Sequence, residues 1–401
     1  MAFNRFLRLT YGRFLTWRYR IVTENQELIN NLKPPFLVLP NHASVLDPFM
    51  LNSWVPRPIH YVVSDASFRS RLVSFGLSLV GSIPKTKAMS DLETIKNIVR
   101  VRDRGGVIGI FPEGQNSWDG HSLPIYYSTA KLAKLLKIPV VTVRIAGAYF
   151  SKPRWAKQDR RGQVHIRFEL AYTPDQLKRT PVEEIDRTVV EMLDHDEFEY
   201  NRTARVAFAG KDRAEYLERV LFICPSCTRI GTLHSQGDEF ACTECGYRVY
   251  FDRFGFFKER SGRLRFQTIR DWNLWQREEY ERHLYNYVAD EGSAPLLAEE
   301  RVLVQIGYKS LPLAPFHTGS LQLYADRIVL FADSGEKERF EIAEINGSNI
   351  QNNEHWEFYD GPDLFRITFL DPGGCTYKWD HAVRYIKQST CLPAKEAIPS
   401  Q

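Results

Sequence analysis

Residues 36–48, FLVLPNHASVLDP, decide the fold of the first part of the chain. The run 36–40 is short, apolar and closed by proline, which predicts a central strand ending at the carboxyl edge of an α/β sheet, where such sheets place their ligands. Asp47-Pro48 predicts the start of a helix. Four residues separate His42 from Asp47, so the Asp47 carboxylate can accept from one imidazole nitrogen and leave the other to take a proton. Alternatively, His42 and Asp47 only cap a loop and a helix.

A second buried-strand pattern, residues 107–111, ends in Pro112-Glu113-Gly114. The helix predicted before it begins with a capping box of Ser90 and Glu93, and Arg104-Gly105-Gly106 ends it. A helix followed by a buried strand indicates a parallel α/β unit. Glu113 would then lie, like His42, at the carboxyl end of a strand.

Four ordered motifs make the chain resemble the glycerolipid acyltransferase family, whose best-known member acylates 1-acylglycerol-3-phosphate. NHASVLD (41–47) matches its NHx4D block and FPEGQNSW (111–118) its FPEG block. GSIPKTK (81–87) and IPVVTVRIAG (138–147) match the motif between them and the strand that follows. The resemblance covers roughly residues 20–170, and four blocks in the right order are far more specific than any one. It implies an α/β acyltransferase domain with a mainly parallel sheet flanked by helices.

The resemblance also implies residue roles. His42, oriented by Asp47, would deprotonate an acceptor hydroxyl, and the alkoxide would attack the thioester of acyl-CoA or an acyl carrier protein. No metal is needed, and Ser44 lies on the wrong side of His42 to serve as a nucleophile. The acceptor's glycerol part would contact Glu113 and Gly114, and its phosphate would bind Lys85 and Lys87. In place of these roles, Glu113 could be a solvated loop carboxylate and the two lysines ordinary surface charges.

Two departures from the family pattern concern the acceptor. Lys87 stands where an arginine is usual, so the charge is kept but the bidentate fork is lost. Gln115-Asn116 follows the FPEG block in place of threonine-arginine or serine-arginine. The expected reaction is acyl transfer to a lysophospholipid hydroxyl, with 1-acylglycerol-3-phosphate giving phosphatidic acid. Another lysolipid or an amino-lipid is the alternative acceptor, and a non-catalytic lipid-binding zinc-ribbon protein is the alternative class. The intact set of His42, Asp47, Glu113 and Gly114 favours an enzyme.

Two CxxC pairs form a separate motif: Cys224 with Cys227, and Cys242 with Cys245. Two such knuckles predict a closed tetrahedral site for one structural zinc, a zinc ribbon with four cysteine ligands. Two disulfides would need an oxidising compartment, and an iron-sulfur centre is formally possible. His234 lies between the pairs and is expected to be a loop residue.

The amino-terminal segment 1–20 is basic and rich in aromatic residues, with five arginines and no acid. This pattern is typical of an amphipathic helix that lies in a lipid interface, although the helix could simply pack on the enzyme domain. It lacks the apolar core and cleavage site of a signal peptide. Because no stretch reaches about 18 apolar residues, a spanning helix is not expected. We therefore expect a peripheral protein on the cytoplasmic face of a membrane. A net charge of only +4 does not indicate nucleic acid as a partner.

At 401 residues, several domains are expected. After the interface helix (1–20) and the acyltransferase domain (21–180), a charged helical connector (181–222) leads to the zinc ribbon (223–258). A helix capped by Thr268 and Asp271 then opens a β-rich module (265–388), loosely similar in element order to pleckstrin-homology-like modules. Six short strands and a closing helix near 380–386 are predicted within it, and residues 389–401 are expected to be a disordered tail.

Overall fold

The computed structural model describes residues 2–85, 92–290, 294–351 and 354–391. The described residues fall into two compact units. The first comprises those of 1–215, 235–241 and 248–271, and the second those of 216–234, 242–247 and 272–391. The described residues form three sheets, with seven, four and seven strands in chain order. The predicted fold class, a mainly parallel α/β sheet followed by a cysteine cluster and a β-rich part, is confirmed.

The first sheet carries its strands in the order β1-β7-β6-β2-β5-β3-β4. Five of them run parallel, and β1 and β7 run in the opposite direction at one edge. The central strand β2 is buried along its whole length, as its apolar sequence predicts. The strands are β1 Val22–Glu24, β2 Phe36–Pro40, β3 Ile59–Ser64, β4 Ile83–Lys85, β5 Val107–Gly109, β6 Val140–Ala146 and β7 His165–Tyr172.

Eleven α-helices are described in the first unit: α1 Ala2–Leu7, α2 Arg13–Arg18, α3 Gln26–Asn31, α4 Asp47–Trp54, α5 Arg71–Leu79, α6 Leu92–Asp103, α7 Ser128–Leu136, α8 Ala148–Ser151, α9 Pro174–Arg179, α10 Val182–Leu193 and α11 Glu197–Ala204. Helices α7 and α10 bury their apolar stripes against β2, β5 and β6. Within the predicted connector, α10 and α11 are helical, but only the short 3-10 turn Leu217–Arg219 follows them. Ser90 of the predicted capping box lies outside the described residues.

The amino-terminal segment forms one helical stretch, in which the π-helical turn Arg8–Gly12 joins α1 to α2. Its contact with α4 is very close at Gly12, where a Cβ atom would lie 2.6 Å from the Ser53 Oγ atom. On the same side of the stretch, Leu15 is buried. The helix therefore packs on the first unit through one face, as the alternative interpretation of this segment expects, and the opposite face stays open.

The second sheet is antiparallel, in the order β11-β10-β9-β8, with strands β8 Leu233–Gln236, β9 Glu239–Cys242, β10 Arg248–Phe251 and β11 Phe257–Ser261. Helix α12, Ile269–Ala289, follows it. As predicted, Thr268 caps this helix, because its Oγ1 atom accepts from the Asp271 N atom at 3.0 Å.

The third sheet is antiparallel throughout, and helix α13, Thr376–Cys391, follows its last strand. Its strands are β12 Leu297–Gly307, β13 Ala314–Leu323, β14 Arg327–Ala332, β15 Lys337–Glu341, β16 Asn346–Gln351, β17 His355–Asp360 and β18 Asp363–Phe369. The sequence predicts only six of these seven, because the polar run of β16 (NGSNIQ) lacks a strand pattern. Of the predicted disordered tail, residues 389–391 are helical, so the prediction is wrong there, and 392–401 lie outside the described residues.

Candidate functional site

The carboxyl end of β2 brings His42 and Asp47 together. The His42 Nδ1 atom lies 2.9 Å from Asp47 Oδ2, and the same oxygen accepts from the N atoms of Ala43 and Ser44 at 2.8 Å each. These contacts wrap the NHASVLD turn around one carboxylate at the start of α4. Asp47 is fully buried, whereas the His42 side chain is 18% exposed. The arrangement fixes the ring through Nδ1 and leaves the second ring nitrogen for other partners.

Burial raises the pKa of Asp47 above its ordinary value, and the hydrogen bond from His42 and those from the two backbone N–H groups act in the opposite direction. Asp47 Oδ2, held in place by the two backbone N–H groups, in turn holds the Nδ1 side of the His42 ring. The His42 ring also packs on Phe111, with 4.2 Å between ring centres. Both contacts restrict the orientation of the imidazole.

Ser44 is not placed as a nucleophile. Its side chain is fully buried, and its Oγ atom donates to the Lys152 carbonyl oxygen at 3.2 Å. No triad of serine, histidine and aspartate forms among the described residues of this turn.

Glu113 is buried next to the dyad. Its Oε1 atom accepts from the His42 N atom and its Oε2 atom from the Leu123 N atom, both at 2.8 Å. Its exposed fraction is only 3%, so the alternative of a solvated loop carboxylate is wrong. Burial raises the pKa of Glu113 to about 8, although the two N–H donors lower it. The carboxyl group joins the main chain of the NHASVLD turn to the loop after the FPEG block.

Gly114 adopts a left-handed conformation, with φ of +73°, that favours glycine. A Cβ atom there would lie 2.8 Å from the Tyr126 ring, and the Lys85 Nζ atom lies 6.0 Å from the centre of the same ring. Tyr126 therefore links Lys85, at the end of β4, to the FPEG turn. Lys85 is exposed, and Lys87 lies outside the described residues.

Two residues of this region had no predicted role. Asn41 is buried, and its amide exchanges two hydrogen bonds with the main chain of Ile145, which pins the end of β2 to β6. Its place inside NHASVLD was a usable signal. Arg154 donates through Nη1 to Gln115 Oε1 and to the Asn116 carbonyl oxygen, both at 3.1 Å. Nothing local in the sequence indicates this contact, which crosses 39 and 38 residues.

The second unit contains the predicted cysteine cluster. The ligand atoms of Cys224, Cys227, Cys242 and Cys245 all lie within 4.8 Å of one another. The Sγ atoms of Cys224 and Cys245 are 3.6 Å apart, and those of Cys227 and Cys242 are 3.7 Å apart. All four cysteines are free thiols, so the disulfide alternative is not what the structure shows. His234 is not part of the group.

These distances fit a metal. Two thiolates at about 2.3 Å from a tetrahedral zinc lie about 3.8 Å from each other, close to both separations. Hydrogen bonds in the knuckles hold the ligands: the Cys224 N atom donates to the Arg229 carbonyl oxygen at 3.1 Å, and Thr232 Oγ1 contacts Cys242 Sγ at 3.2 Å. The four cysteines therefore form a possible metal site whose ligands come only from the protein.

Comparison with known proteins identifies a family match within the first unit. Residues 20–146 match the profile of the family described as Acyltransferase. The chain therefore carries an acyltransferase-family domain, as its motifs indicate. No helix among the described residues has the length and apolar character needed to cross a membrane.

Three curated proteins resemble the chain. It is 27% identical over 148 residues to the putative 1-acyl-sn-glycerol-3-phosphate acyltransferase acl-1 of Caenorhabditis elegans, covering 34% of this chain and 54% of that protein. It is 23% identical to the chloroplastic 1-acyl-sn-glycerol-3-phosphate acyltransferase BAT2 of Brassica napus, with 32% and 38% covered. It is 22% identical to the 1-acyl-sn-glycerol-3-phosphate acyltransferase of Bacillus subtilis, with 30% and 61% covered.

The chain thus spans about half the length of the curated relatives it matches. Among solved structures, it resembles the 1-acyl-sn-glycerophosphate (LPA) acyltransferase PlsC of Thermotoga maritima. The TM-score is 0.42 at 20% identity, and the match covers 47% of this chain and 76% of that one.

Proposed function

We propose that this protein is a peripheral membrane acyltransferase that moves a fatty acyl group from a thioester to the hydroxyl of a lysophospholipid. The observation that carries the proposal is the buried Asp47 carboxylate on Nδ1 of the partly exposed His42 ring. The acyltransferase-family match over residues 20–146 supports it. Three relatives named 1-acyl-sn-glycerol-3-phosphate acyltransferases favour 1-acylglycerol-3-phosphate as the acceptor and phosphatidic acid as the product.

The proposed mechanism is general-base catalysis with direct transfer. The free ring nitrogen of His42 takes the proton of the acceptor hydroxyl while Asp47 stabilises the imidazolium. The acceptor oxygen attacks the thioester carbonyl of acyl-CoA or acyl carrier protein, and the tetrahedral intermediate breaks its carbon–sulfur bond. The His42 imidazolium then protonates the departing thiolate. The products are the ester and the free thiol, and His42 is regenerated neutral.

The chain departs from the family pattern at the residues expected to bind the head group of the acceptor. In the proposal, Lys85 and Lys87 bind the phosphate, and the turn of Glu113 and Gly114 lies beside the glycerol. Another lysolipid or an amino-lipid is the second candidate acceptor. It is favoured by the loss of family arginines, because Lys87 replaces one and Gln115-Asn116 stands where the family carries threonine-arginine or serine-arginine.

The deciding experiment offers the full chain a panel of lysolipids, with labelled acyl-CoA and acyl-acyl carrier protein as donors. We expect label to enter phosphatidic acid faster than any other product. Faster labelling of a neutral or amino-lipid acceptor would replace lysophosphatidate as the substrate. No labelled product with any acceptor or donor would favour the non-catalytic alternative.

Membrane binding is proposed from an aromatic face formed by Tyr11, Phe14, Trp17 and Phe49. The Tyr11 ring contacts those of Phe49 and Phe14, and the Phe14 ring contacts that of Trp17, with ring centres 5.7 to 6.2 Å apart. The side chains of Phe14 and Trp17 are nevertheless 50% and 61% exposed. Exposed aromatic side chains in contact, on a segment rich in arginine, are typical of a lipid interface. Cysteines without disulfide bonds are typical of a reducing compartment, so the cluster supports the cytoplasmic face.

This part of the proposal is tested by sedimentation with anionic vesicles. The double variant Phe14→Ser with Phe49→Ser should bind about tenfold or more weakly, because two large apolar side chains no longer enter the lipid. Leu135→Ser is the matched control, since Leu135 is equally exposed (51%) but lies on α7. Equal sedimentation of both variants and the unchanged protein would contradict a role for the aromatic face.

We propose that the cysteine cluster holds one zinc ion in a structural role. All four ligands come from the protein, so no position remains for a substrate. The donor set and its separations also suit a mononuclear iron, and elemental analysis of the purified protein distinguishes the two metals. Equimolar zinc is the expected result.

A further inference from the structure

His195 is a buried histidine that the proposed mechanism does not use. It lies between α10 and α11, and its side chain is only 8% exposed. Its Nε2 atom has no hydrogen-bond partner among the described residues. A carboxylate oxygen, Oε2 of Glu197, is 3.6 Å away, and it already accepts from the Gly147 N atom. A buried ring nitrogen without a partner is uncommon, so this one calls for an explanation.

The main chain of His195 is tied to the loop that Glu113 holds. The Ser122 N atom donates to the His195 carbonyl oxygen at 3.0 Å, and the His195 N atom donates to Ser122 Oγ at 3.1 Å. The next residue, Leu123, donates its N–H to Glu113. His195 and Glu113 are thus held to successive residues of one loop.

A small cavity of about 10 Å³ lies at this junction. The residues that line it include His42, Glu113, His121, Ser122, His195 and Glu197. One water molecule needs a volume on the order of 10–15 Å³ and two to four polar partners. The cavity is therefore about the size of one water molecule, and several polar side chains stand in its lining.

We propose that His195 is a positioning residue of the site and acts on His42 through one water molecule bound in this cavity. The water donates one hydrogen bond to His195 Nε2 and one to the Glu113 carboxyl group. Each Glu113 oxygen accepts one backbone N–H, and the carbonyl oxygen of the carboxyl group keeps a lone pair for the water. Because Glu113 Oε1 accepts from the His42 N atom, the water fixes the main chain from which the imidazole projects. The catalytic consequence rests on the function proposed above.

Three substitutions at His195 separate this role from simple packing. In His195→Gln the side-chain amide reaches the place of Nε2 and keeps an acceptor there. In His195→Asn the amide is too short, and in His195→Leu the polar atom is lost at similar volume. His165→Leu is the matched control, because His165 lies on β7, where its Nε2 atom is 3.6 Å from Glu24 Oε2.

We expect kcat to fall about tenfold to a hundredfold in the Asn and Leu variants, since small displacements of a catalytic group cost rates of this size. KM for both substrates, and the melting temperature, should stay close to those of the unchanged protein. The Gln variant and the control should keep most of their kcat. The role is excluded if all three variants keep full kcat, or if the Gln variant falls with the other two.

An NMR measurement tests the positioning role without turnover. The proton between His42 Nδ1 and Asp47 should change its chemical shift in the Leu variant and keep it in the Gln variant. An unchanged resonance in the Leu variant would overturn the inference even in an active enzyme. A changed resonance in a protein that transfers no acyl group would overturn the proposed function and leave the positioning role standing.

Discussion

The end of β2 and the cysteine cluster hold their polar side chains in opposite ways. At the end of β2, backbone N–H groups hold the buried carboxylates of Asp47 and Glu113, and the His42 ring remains partly exposed. In the cluster, four sulfur atoms face one another within 4.8 Å and leave no ligand position for a substrate.

This difference suits the end of β2 to catalysis and the cysteine cluster to stabilising the fold. A site that must handle a substrate keeps one functional atom without an internal partner, and the surrounding hydrogen bonds only orient it. A metal site that stabilises a small segment fills every coordination position with a protein ligand, because each protein ligand adds to the stability of the folded segment. The two regions should therefore respond to substitution in different measurements.

The largest effect is expected from the cysteine cluster. Cys227→Ser in the full chain should remove the metal and destabilise the second unit by more than about 4 kcal/mol, since loss of a metal ligand is among the costliest substitutions. Metal content, protease resistance and thermal unfolding measure this. Cys375→Ser is the control, because Cys375 is also buried in the second unit but lies outside the cluster. Loss of catalysis with an unchanged protease pattern would mean that the cluster is not structural.

His42→Ala should give the reverse result. Removal of the general base should lower kcat about a hundredfold to ten-thousandfold with little change in melting temperature. Asp47→Asn should lower kcat on the order of a hundredfold or more by disturbing the ring's tautomer and orientation. His165→Ala serves as the control. Near-normal turnover by folded His42→Ala would show that His42 and Asp47 are not catalytic. The two regions would then not differ in role in this way.

Glu113 should make stability depend on pH. Since burial raises its pKa from 4.5 to about 8, the folded protein keeps a proton that the unfolded chain releases between these values. The free energy of unfolding should therefore fall as pH rises through this window, by up to about 1.4 kcal/mol per pH unit. Glu113→Gln should flatten that dependence, whatever its cost at a fixed pH.

Urea unfolding across this window measures the slope. Glu191→Gln, at an exposed position on α10, should leave it unchanged. If the slope persists in Glu113→Gln, a different group carries the pH dependence, and Glu113 is ionised in the folded protein.

The smallest effect is expected at the lysines near the site. Lys85→Ala and Lys87→Ala should raise KM for lysophosphatidate about three- to tenfold and leave KM for the acyl donor unchanged. Lys87→Arg should be tolerated, because the charge is kept. Lys131→Ala, on α7, is the control. Equal changes of KM for both substrates would place the lysines outside the acceptor site.

Local sequence predicted the central strand, the helix start at Asp47 and the cysteine pairs. Apolar runs closed by proline, and cysteines separated by two residues, carry their structural meaning within a short stretch of chain. The contact of His42 with Asp47 is also local, because only four residues lie between them and one turn brings them together. Strand β16 was missed because its polar residues pair with a neighbouring strand without an alternating pattern of their own.

Other features were decided only by the tertiary structure. Glu113 lies 71 residues from His42, and Arg154 reaches Gln115 across 39 residues. His195 meets Ser122 across 73 residues. A carboxylate, a guanidinium and an imidazole are common on protein surfaces, and nothing in their local sequence marks these three as buried. Their burial follows from the packing of the parallel sheet and its loops, which joins segments that local periodicity cannot relate.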